Sequence, residues 1–289
     1  MLKEKRSWDI AELRAQLYWE VLPADIGPIR QLLENYSGVP PAEVDAHILA
    51  IRERLWQIKP YGCIGKFRFL QLDFTSDPRY QQALALLKRR FSRDTLLDLG
   101  CCVGQVLRQL VDDGACSSRL FGADLEPRFV EIGYELFRDR KKLKSMFVAG
   151  DVLAGSEDDS PTRDPLKLLD GKMTVVHATS FFHLFGWNDQ IRAARRIIRL
   201  LKPKDANVFI FGRQVGCVDP GNQPGPKGYQ RFLHNAESWQ SMWDQVGEQT
   251  GTRWRAEMDI IPDSHNSGLI GADVYPEGFN RIRFGVHRA

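Results

Sequence analysis

The stretch LLDLGCCVGQ at residues 96–105 decides the fold of this chain. It predicts an apolar strand that ends in Asp98, turns through two glycines and continues into a helix from Val103 to Asp113. A second apolar strand, Leu120 to Ala123, follows and ends in Asp124. A glycine turn between strand and helix is typical of a nucleotide-binding sheet, because glycine lets the backbone approach a ligand closely. An acid about twenty residues later is placed to accept hydrogen bonds from ribose hydroxyls.

The glycine loop fits a ligand without phosphate better than a dinucleotide. A dinucleotide fingerprint needs G-x-G-x-x-G, because the pyrophosphate lies against the helix N-terminus. Cys102 stands where the middle glycine belongs, and its side chain makes the loop a poorer pyrophosphate cradle. S-adenosylmethionine (SAM) carries no phosphate, and Asp98 can face its positive end. At Asp98, Gly100 and Gly104 the loop resembles the D/E-x-G-x-G-x-G motif of class I SAM methyltransferases; the alternative is a tight turn in another α/β protein.

Later landmarks follow in the order of that family. Residues 145–152 predict a third strand with an acid near its end, and residues 172–178 predict a fourth. A basic amphipathic helix from about Asn188 to Leu201 stops at Lys202-Pro203, before a fifth strand at 207–212. The resemblance implies a Rossmann-like α/β fold with a mostly parallel, seven-stranded sheet. By the same resemblance, the residues that bind SAM are Asp98, Gly100, Gly104, Asp124, Leu125, Asp151, Val152 and Ala178.

Residues 1–90 precede the sheet and are mostly helical in pattern. Apolar residues at three- and four-residue spacing predict helices over 23–34 and 41–56, and a further helix begins at Asp77-Pro78 and runs towards Phe91. We therefore expect an N-terminal helical cap at 1–90 and a SAM-dependent methyltransferase domain at 91–289. The cap either covers the open edge of the sheet or simply packs against its outer helices.

Three other segments complete the predicted organisation. The aromatic stretch 65–70 predicts extended or looped backbone. Residues 212–229 hold five glycines and three prolines, so we expect no regular structure there. This segment follows the fifth strand, on the edge where ligands of such sheets bind. Residues 254–261 and 281–287 predict the last two strands, as an antiparallel pair.

The composition of the 289-residue chain is ordinary, with 43% hydrophobic and 27% charged residues and a net charge of +3. Arginines on the 188–201 helix are spaced for a solvated face, so we expect no nucleic-acid partner. The five cysteines include no CxxC pair, which predicts neither a disulfide framework nor a metal site. Cys101 and Cys102 are expected to be small buried side chains, with a catalytic thiolate as the alternative. Without a leader or a membrane-spanning apolar run, the chain is expected to be cytoplasmic.

Candidate acceptor-site residues lie just after the fourth strand. His183 is the first candidate, either as a base near neutral pH or as a donor that orients a carboxylate, and a histidine bonded to backbone is the alternative. His177 is expected to be structural, and His234 is a weaker candidate. Arg213, at the end of the fifth strand, would grip an anionic substrate or form a surface salt bridge. The aromatic residues of the loop would line an acceptor pocket or close the core: Phe181, Phe182, Phe185 and Trp187.

Longer stretches support a narrower resemblance. They are LPADIGPIRQLLENYSGVPPAEV at 22–44, IRERLWQI at 51–58, LDLGCCVGQVLRQLVDDG at 97–114, ADLEPRFVEIGYELFRDR at 123–140 and HATSFFHLFGW at 177–187. On these stretches the chain resembles the fungal SAM-dependent methyltransferases of terpenoid and polyketide-terpenoid (meroterpenoid) pathways. That resemblance implies O-methylation of a small apolar metabolite, as a methyl ester on a carboxylate. A phenol O- or C-methyltransferase and a non-catalytic SAM-binding protein stay open, and the helical leader would allow a homodimer.

Overall fold

The computed structural model describes residues 10–154, 164–225, 230–261 and 277–289. The strands are β1 (Leu96–Leu99), β2 (Leu120–Asp124), β3 (Met146–Ala149), β4 (Val175–His177), β5 (Phe209–Cys217), β6 (Gly221–Pro224), β7 (Gln230–Leu233), β8 (Trp254–Ile260) and β9 (Phe279–Arg288). Within the described residues, one seven-stranded sheet has the order β3-β2-β1-β4-β5-β9-β8, and β6 pairs with β7 separately. The first five strands are parallel, and β9 is antiparallel to both β5 and β8. The predicted Rossmann-like, mostly parallel sheet is confirmed.

Helices connect these strands and precede them. They are α1 (Ile10–Leu17), α2 (Ile29–Gln31), α3 (Val44–Ile58), α4 (Gly62–Gly65), α5 (Pro78–Lys88), α6 (Gln105–Asp112), α7 (Pro127–Leu136), α8 (Trp187–Leu200) and α9 (Ala236–Thr250). Helix α5 begins at the predicted Asp77-Pro78 signal, where the Asp77 side chain accepts a hydrogen bond from the Arg79 amide. Capping of this kind satisfies an amide that has no partner inside the helix. No helix in the described part of the chain is long and apolar enough to cross a membrane.

Both faces of the sheet are covered. Side chains of α3, α5, α6 and α7 pack with Val175, Phe209 and Phe211 on one face. Helices α8 and α9 pack with Val176 and Ile210 on the other face. Because side chains alternate along a strand, consecutive residues of β4 and β5 serve the two cores in turn. Residues of the N-terminal helices thus share a hydrophobic core with the central strands.

The segment at 212–229 departs from the expectation of irregular structure. Strand β5 continues through Gly212 and Gly216, and β6 pairs with β7, so that prediction is wrong for these residues. A Cβ atom on Gly212 would lie 2.5 Å from the carbonyl oxygen of Ala178, and one on Gly216 would lie 2.8 Å from that of His234. Glycine here admits neighbouring backbone into contact instead of making a turn. Residues 226–229 lie outside the described residues, as do residues 262–276.

The aromatic stretch at 65–70 also differs from its prediction. It contains the end of α4 and a short 3₁₀ helix at Arg68–Leu70, with Phe67 at a φ of +57° between them. The amide of Trp19 donates to the carbonyl of Gly65 at 3.1 Å, which ties this turn to the chain after α1. The expected extended or looped backbone is therefore replaced by helical turns that pack against the rest of the N-terminal segment.

Candidate cofactor and acceptor site

The glycine loop between β1 and α6 is held by backbone hydrogen bonds to the end of β2. The amides of Gly100 and Cys101 both donate to the carbonyl of Ala123, at 2.8 and 3.0 Å. Gly100 and Gly104 have φ angles of +75° and +69°, in the left-handed region that glycine enters without a steric cost. The two predicted glycines therefore allow the turn from strand to helix.

Cys102 adopts a φ of +49° and positions its amide towards Asp124. That amide donates to Asp124 Oδ2 at 2.8 Å, and the amide of Glu126 donates to Oδ1 at 2.9 Å. Burial raises the pKa of the Asp124 carboxyl, while these backbone hydrogen bonds lower it. Each carboxylate oxygen keeps a further lone pair, so Asp124 is fixed in place and still able to accept hydrogen bonds from ribose hydroxyls.

Burial of the two adjacent cysteines of the loop disfavours their thiolate forms. Burial raises the pKa of Cys101 well above its usual value, and it does the same for Cys102. The nucleophilic form of cysteine is the thiolate, so neither side chain is activated for covalent catalysis. The structure favours their interpretation as small side chains in a tight loop.

Asp98 is buried beneath the loop, at 3% exposure, with its two oxygens in different surroundings. Oδ1 accepts a hydrogen bond from Nδ1 of His177 at 2.7 Å. Oδ2 is buried, and it has no hydrogen-bond partner among the residues that the structure describes. A buried acceptor without a partner suits a cationic ligand group, and SAM carries such groups in its sulfonium and ammonium. The residues of this loop therefore fit SAM.

The other predicted SAM-binding residues lie at the ends of neighbouring strands. Asp151 is exposed after β3, and its Oδ1 accepts from the amide of Leu153 at 2.8 Å. Val152 is buried, and Leu125 exposes 69% of its surface. Ala178 is buried after β4. Because β1, β2 and β3 are parallel neighbours, the acids at or after their ends lie along one edge of the sheet.

His183 lies on a short 3₁₀ helix, Phe182–Leu184, between β4 and α8. Its amide donates to Oε1 of Gln214 at 3.2 Å, while its Nδ1 is buried without a partner in the described part of the chain. Burial, together with the charges of Arg231 and Arg68, lowers the pKa of the imidazole to about 3. The neutral ring is a poor proton acceptor, so this environment does not suit the expected base near neutral pH. It suits the alternative role of a hydrogen-bond donor.

Sequence reasoning missed the residues around His183. Gln214, on β5, is 5% exposed, and its Nε2 is buried with no partner among the described residues. Arg231, on β7, likewise has a buried Nε without a partner in the described ranges. Arg68 comes from the N-terminal segment. Gln214 lies in the glycine-rich stretch at 212–229 and Arg68 in the aromatic stretch at 65–70, while Arg231 lies in neither, so no local pattern indicated that the three residues meet.

The N-terminal segment also reaches the glycine loop. Cys63 of α4 has an exposed surface, yet burial of the thiol raises its pKa. Its environment includes the charges of Arg68 and Asp124, and Cys63 in turn raises the pKa of Cys102. Helix α4 therefore lies beside the predicted cofactor loop.

Arg213 does not face this cluster. Its guanidinium forms an ion pair with Asp73 and donates to Oε1 of Gln71 at 2.6 Å. Asp73 also pairs with Arg281 at 3.0 Å. Arg213 is 8% exposed, so the pair is buried and joins β5 to the N-terminal segment. The guanidinium is bonded to protein partners, so it forms neither of the two expected arrangements, a grip on an anionic substrate or a surface salt bridge.

The aromatic residues after β4 have separate roles. Phe182 is fully buried, with its ring centroid 5.2 Å from that of Trp239, so it belongs to the core and does not line a pocket. The indole of Trp187 donates to Gln245 at 3.1 Å, on α9. Phe185 packs on Phe181, with centroids 5.3 Å apart. The Phe181 ring in turn lies 3.3 Å from the position of a Cβ atom on Gly100, so this aromatic residue contacts the glycine loop.

Two further histidines are buried. His234 is 1% exposed and shares hydrogen bonds with Ser238 and Gln190, at 3.0 and 3.1 Å. Burial lowers its pKa to about 4. His177 is also 1% exposed and lies between β1 and β5. Within the described residues, no group of three or more histidine, cysteine or acidic side chains is arranged to hold a metal ion.

Comparison with known proteins gives matches along most of the chain. Residues 17–70 match the family described as Meroterpenoid methyltransferase N-terminal domain, and residues 96–204 match a Methyltransferase domain. The O-methyltransferase phiE of Fungal sp. (strain ATCC 74256) is 44% identical over 294 residues, which cover 97% of this chain and 93% of the relative. The Asnovolin E/Chermesin D methyltransferase nvfJ of Aspergillus novofumigatus is 38% identical over 249 residues, covering 84% and 86%.

A solved structure with a similar fold is the 1,6-didemethyltoxoflavin-N1-methyltransferase of Burkholderia thailandensis, with bound 1,6-didemethyltoxoflavin and S-adenosylhomocysteine. It is 12% identical to this chain and has a TM-score of 0.49, over 87% of this chain and 91% of that chain.

Proposed function

The chain belongs to the fungal meroterpenoid methyltransferases and is a SAM-dependent enzyme, and on that premise we propose that it methylates an oxygen of a small, apolar secondary metabolite. We propose further that this oxygen belongs to a carboxylate, so that the product is a methyl ester. One relative is named an O-methyltransferase, and another is named for asnovolin E and chermesin D, which supports a small acceptor. The same proposal includes a cytoplasmic location, no nucleic-acid partner and a chain able to form a homodimer.

The observation that carries the carboxylate proposal is the polarity around His183. Burial and the charges of Arg231 and Arg68 keep the imidazole uncharged, with its pKa lowered to about 3. An anion near His183 would meet a positive potential from both guanidinium groups. It would also meet the buried Nε2 of Gln214, which has no other partner in the described part of the chain. A phenol would instead need a base whose pKa is close to the working pH, and this imidazole is not one.

A carboxylate acceptor needs alignment and not deprotonation. SAM, when bound, supplies a methyl group on a positively charged sulfur that is already activated for displacement. In our proposal His183 and Gln214 donate hydrogen bonds to the acceptor carboxylate, and Arg231 balances its charge. Phe181, which contacts the glycine loop, excludes water from the same region. No proton leaves the acceptor, so none of these residues has to act as a base.

Product analysis tests the proposal directly. The purified protein is incubated with methyl-labelled SAM and a panel of acidic terpenoid and polyketide intermediates, and product masses are measured. We expect a gain of one methyl group that mild alkali removes, because esters hydrolyse under these conditions and ethers do not. A gain that survives alkali would replace the carboxylate with a phenol or a ring carbon as the acceptor.

Substitutions test the roles of the two side chains. Arg231→Gln should raise the KM for the acidic acceptor about tenfold, the effect of losing one charge-assisted contact, and leave SAM affinity unchanged. His183→Asn keeps a donor and should retain much of the turnover. Arg195→Gln is the matched control, since Arg195 lies on the exposed face of α8. Complete loss of turnover in His183→Asn, with normal SAM binding, would indicate a required base and count against the ester.

A further inference from the structure

His177, at the end of β4, is held by two hydrogen bonds and two aromatic contacts. In the parallel register of β1 and β4 it lies opposite Asp98, and its Nδ1 donates to Asp98 Oδ1 at 2.7 Å. Its Nε2 shares a hydrogen bond of 2.8 Å with Oγ1 of Thr179. The rings of Phe74 and Phe211 pack against the imidazole, with centroids 5.6 and 4.9 Å away. Both nitrogens are therefore hydrogen-bonded and two aromatic rings contact the imidazole, which restricts rotation of the ring.

The hydrogen bond from His177 determines which oxygen Asp98 has left to offer. Oδ1 is used by the imidazole, whereas Oδ2 is buried and has no partner in the part of the chain that the structure describes. A buried acceptor without a partner is rare in folded proteins, and it costs free energy unless a ligand or water pairs with it. Asp98 comes two residues before Gly100 and lies within electrostatic range of Asp124. The unpaired oxygen is therefore located at the cofactor loop.

We infer that His177 is a positioning residue for SAM: through Nδ1 it holds the Asp98 carboxylate so that Oδ2 is available to the cationic amino-acid part of the cofactor. His177 itself does not contact SAM. It acts through Asp98, and its orientation depends on Thr179 and on Phe74 from the N-terminal segment. The inference does not depend on which acceptor atom is methylated, so it stands or falls separately from the ester proposal.

Calorimetric binding of three ligands tests this role without using turnover. SAM has a sulfonium and an amino-acid part, S-adenosylhomocysteine keeps the amino-acid part alone, and 5′-methylthioadenosine lacks both charged groups. His177→Leu removes the donor, so we expect SAM and S-adenosylhomocysteine to bind at least tenfold more weakly. The affinity for 5′-methylthioadenosine should stay within twofold. A purely structural role for His177 would weaken all three ligands equally, and that result would overturn the inference.

Two further variants supply the controls. His177→Asn places a side-chain N–H where Nδ1 donates, so it should keep SAM affinity within about threefold of the parent protein. Thr179→Val preserves the shape of the side chain but removes the hydrogen-bond partner of Nε2. We expect SAM and S-adenosylhomocysteine to bind about threefold more weakly, with a smaller effect on 5′-methylthioadenosine. If His177→Leu does not fold, the comparison rests on Thr179→Val and His177→Asn. Unchanged affinities in Thr179→Val, or an equal loss for all three ligands in His177→Asn, would then contradict the inference.

Discussion

Backbone geometry restricts which residue types the cofactor loop can accept, and Gly104 shows this restriction most clearly. It has a φ of +69°, and a Cβ atom there would lie 2.5 Å from Nη1 of Arg108 and 3.2 Å from the ring of Phe147. Gly251, which ends α9, has a similar φ of +64° but nothing within 4 Å of its Cβ position. The two glycines share a conformation and differ in the space around them.

Alanine at these two positions separates strain from steric overlap. Gly251→Ala should lower the free energy of unfolding by about 1 kcal/mol, the cost of a left-handed residue with a side chain. Gly104→Ala adds overlap with packed neighbours and should cost about 2–4 kcal/mol. It should also weaken SAM binding, because the loop must move to relieve the overlap. Urea unfolding and calorimetry measure both effects, and equal losses in the two variants would show that the space around Gly104 is unimportant.

His234 makes stability depend on pH. Burial lowers its pKa to about 4 in the folded protein, whereas an unfolded chain has a histidine pKa of about 6.5. Below pH 6.5 the unfolded chain binds a proton that the folded chain does not, so stability falls as the pH drops from about 6.5 towards 4. Between pH 8 and pH 5, this one group should remove about 2 kcal/mol from the free energy of unfolding.

Replacement of His234 by glutamine isolates that contribution. The parent protein should lose about 2 kcal/mol more than His234→Gln between pH 8 and pH 5, because other titrating groups are common to both proteins. Urea unfolding at the two pH values gives the difference. The same pH dependence in both proteins would mean that the imidazole is protonated equally in the folded and unfolded states.

Between elements, a buried ion network joins the N-terminal segment to the sheet. Asp73, from the 3₁₀ turn before α5, pairs with Arg213 of β5 and Arg281 of β9. Both arginines are less than a tenth exposed. Asp73→Asn should therefore cost about 3–5 kcal/mol, since it leaves two buried cations without their shared carboxylate. Asp45→Asn is the control, because the pair of Asp45 with Arg30 is exposed and should contribute at most about 1 kcal/mol. Denaturant unfolding of both variants provides the comparison, and similar small losses would show that the network is not needed for stability.

Local elements were predicted from the sequence, while pairings between distant segments were not. The order of β1 to β5 follows from apolar runs separated by a glycine turn and amphipathic helices, which are local signals. Strand β6 and the extension of β5 were missed, because a high glycine and proline content usually indicates a turn. In β5 glycine is needed instead because neighbouring backbone, such as the carbonyl of Ala178, lies too close to leave room for a Cβ atom.

The candidate site shows the same division. Asp98, Asp124 and the loop glycines could be placed from their spacing alone. The low pKa of His183 comes first from burial and then from the charges of Arg231 and Arg68, which lie far from it in the chain. Arg213 is paired with an acid 140 residues away. No periodicity in the sequence records such partners, so the direction of each side chain had to come from the fold.

At the scale of the whole molecule, the N-terminal helices and the sheet have one hydrophobic core between them. Val175, Phe209 and Phe211 of the central strands belong to the same cluster as Ile48 of α3 and Leu87 of α5. Removal of residues 1–90 would expose that face of the sheet to water. The free-energy cost is about 25 cal/mol for each Å² of apolar surface exposed. The two predicted parts, 1–90 and 91–289, should therefore depend on each other for folding.

Expression of the parts separately and together tests this dependence. Residues 91–289 alone should be insoluble or unfold without a cooperative transition, because one face of the sheet lacks its cover. Co-expression of residues 1–90 as a second chain should restore soluble protein and SAM binding, since the shared core can form between two chains as within one. Circular dichroism melts and calorimetry are the measurements. Cooperative unfolding and normal SAM affinity of residues 91–289 alone would instead establish an independent methyltransferase domain, with the N-terminal segment serving only as a cover for the acceptor.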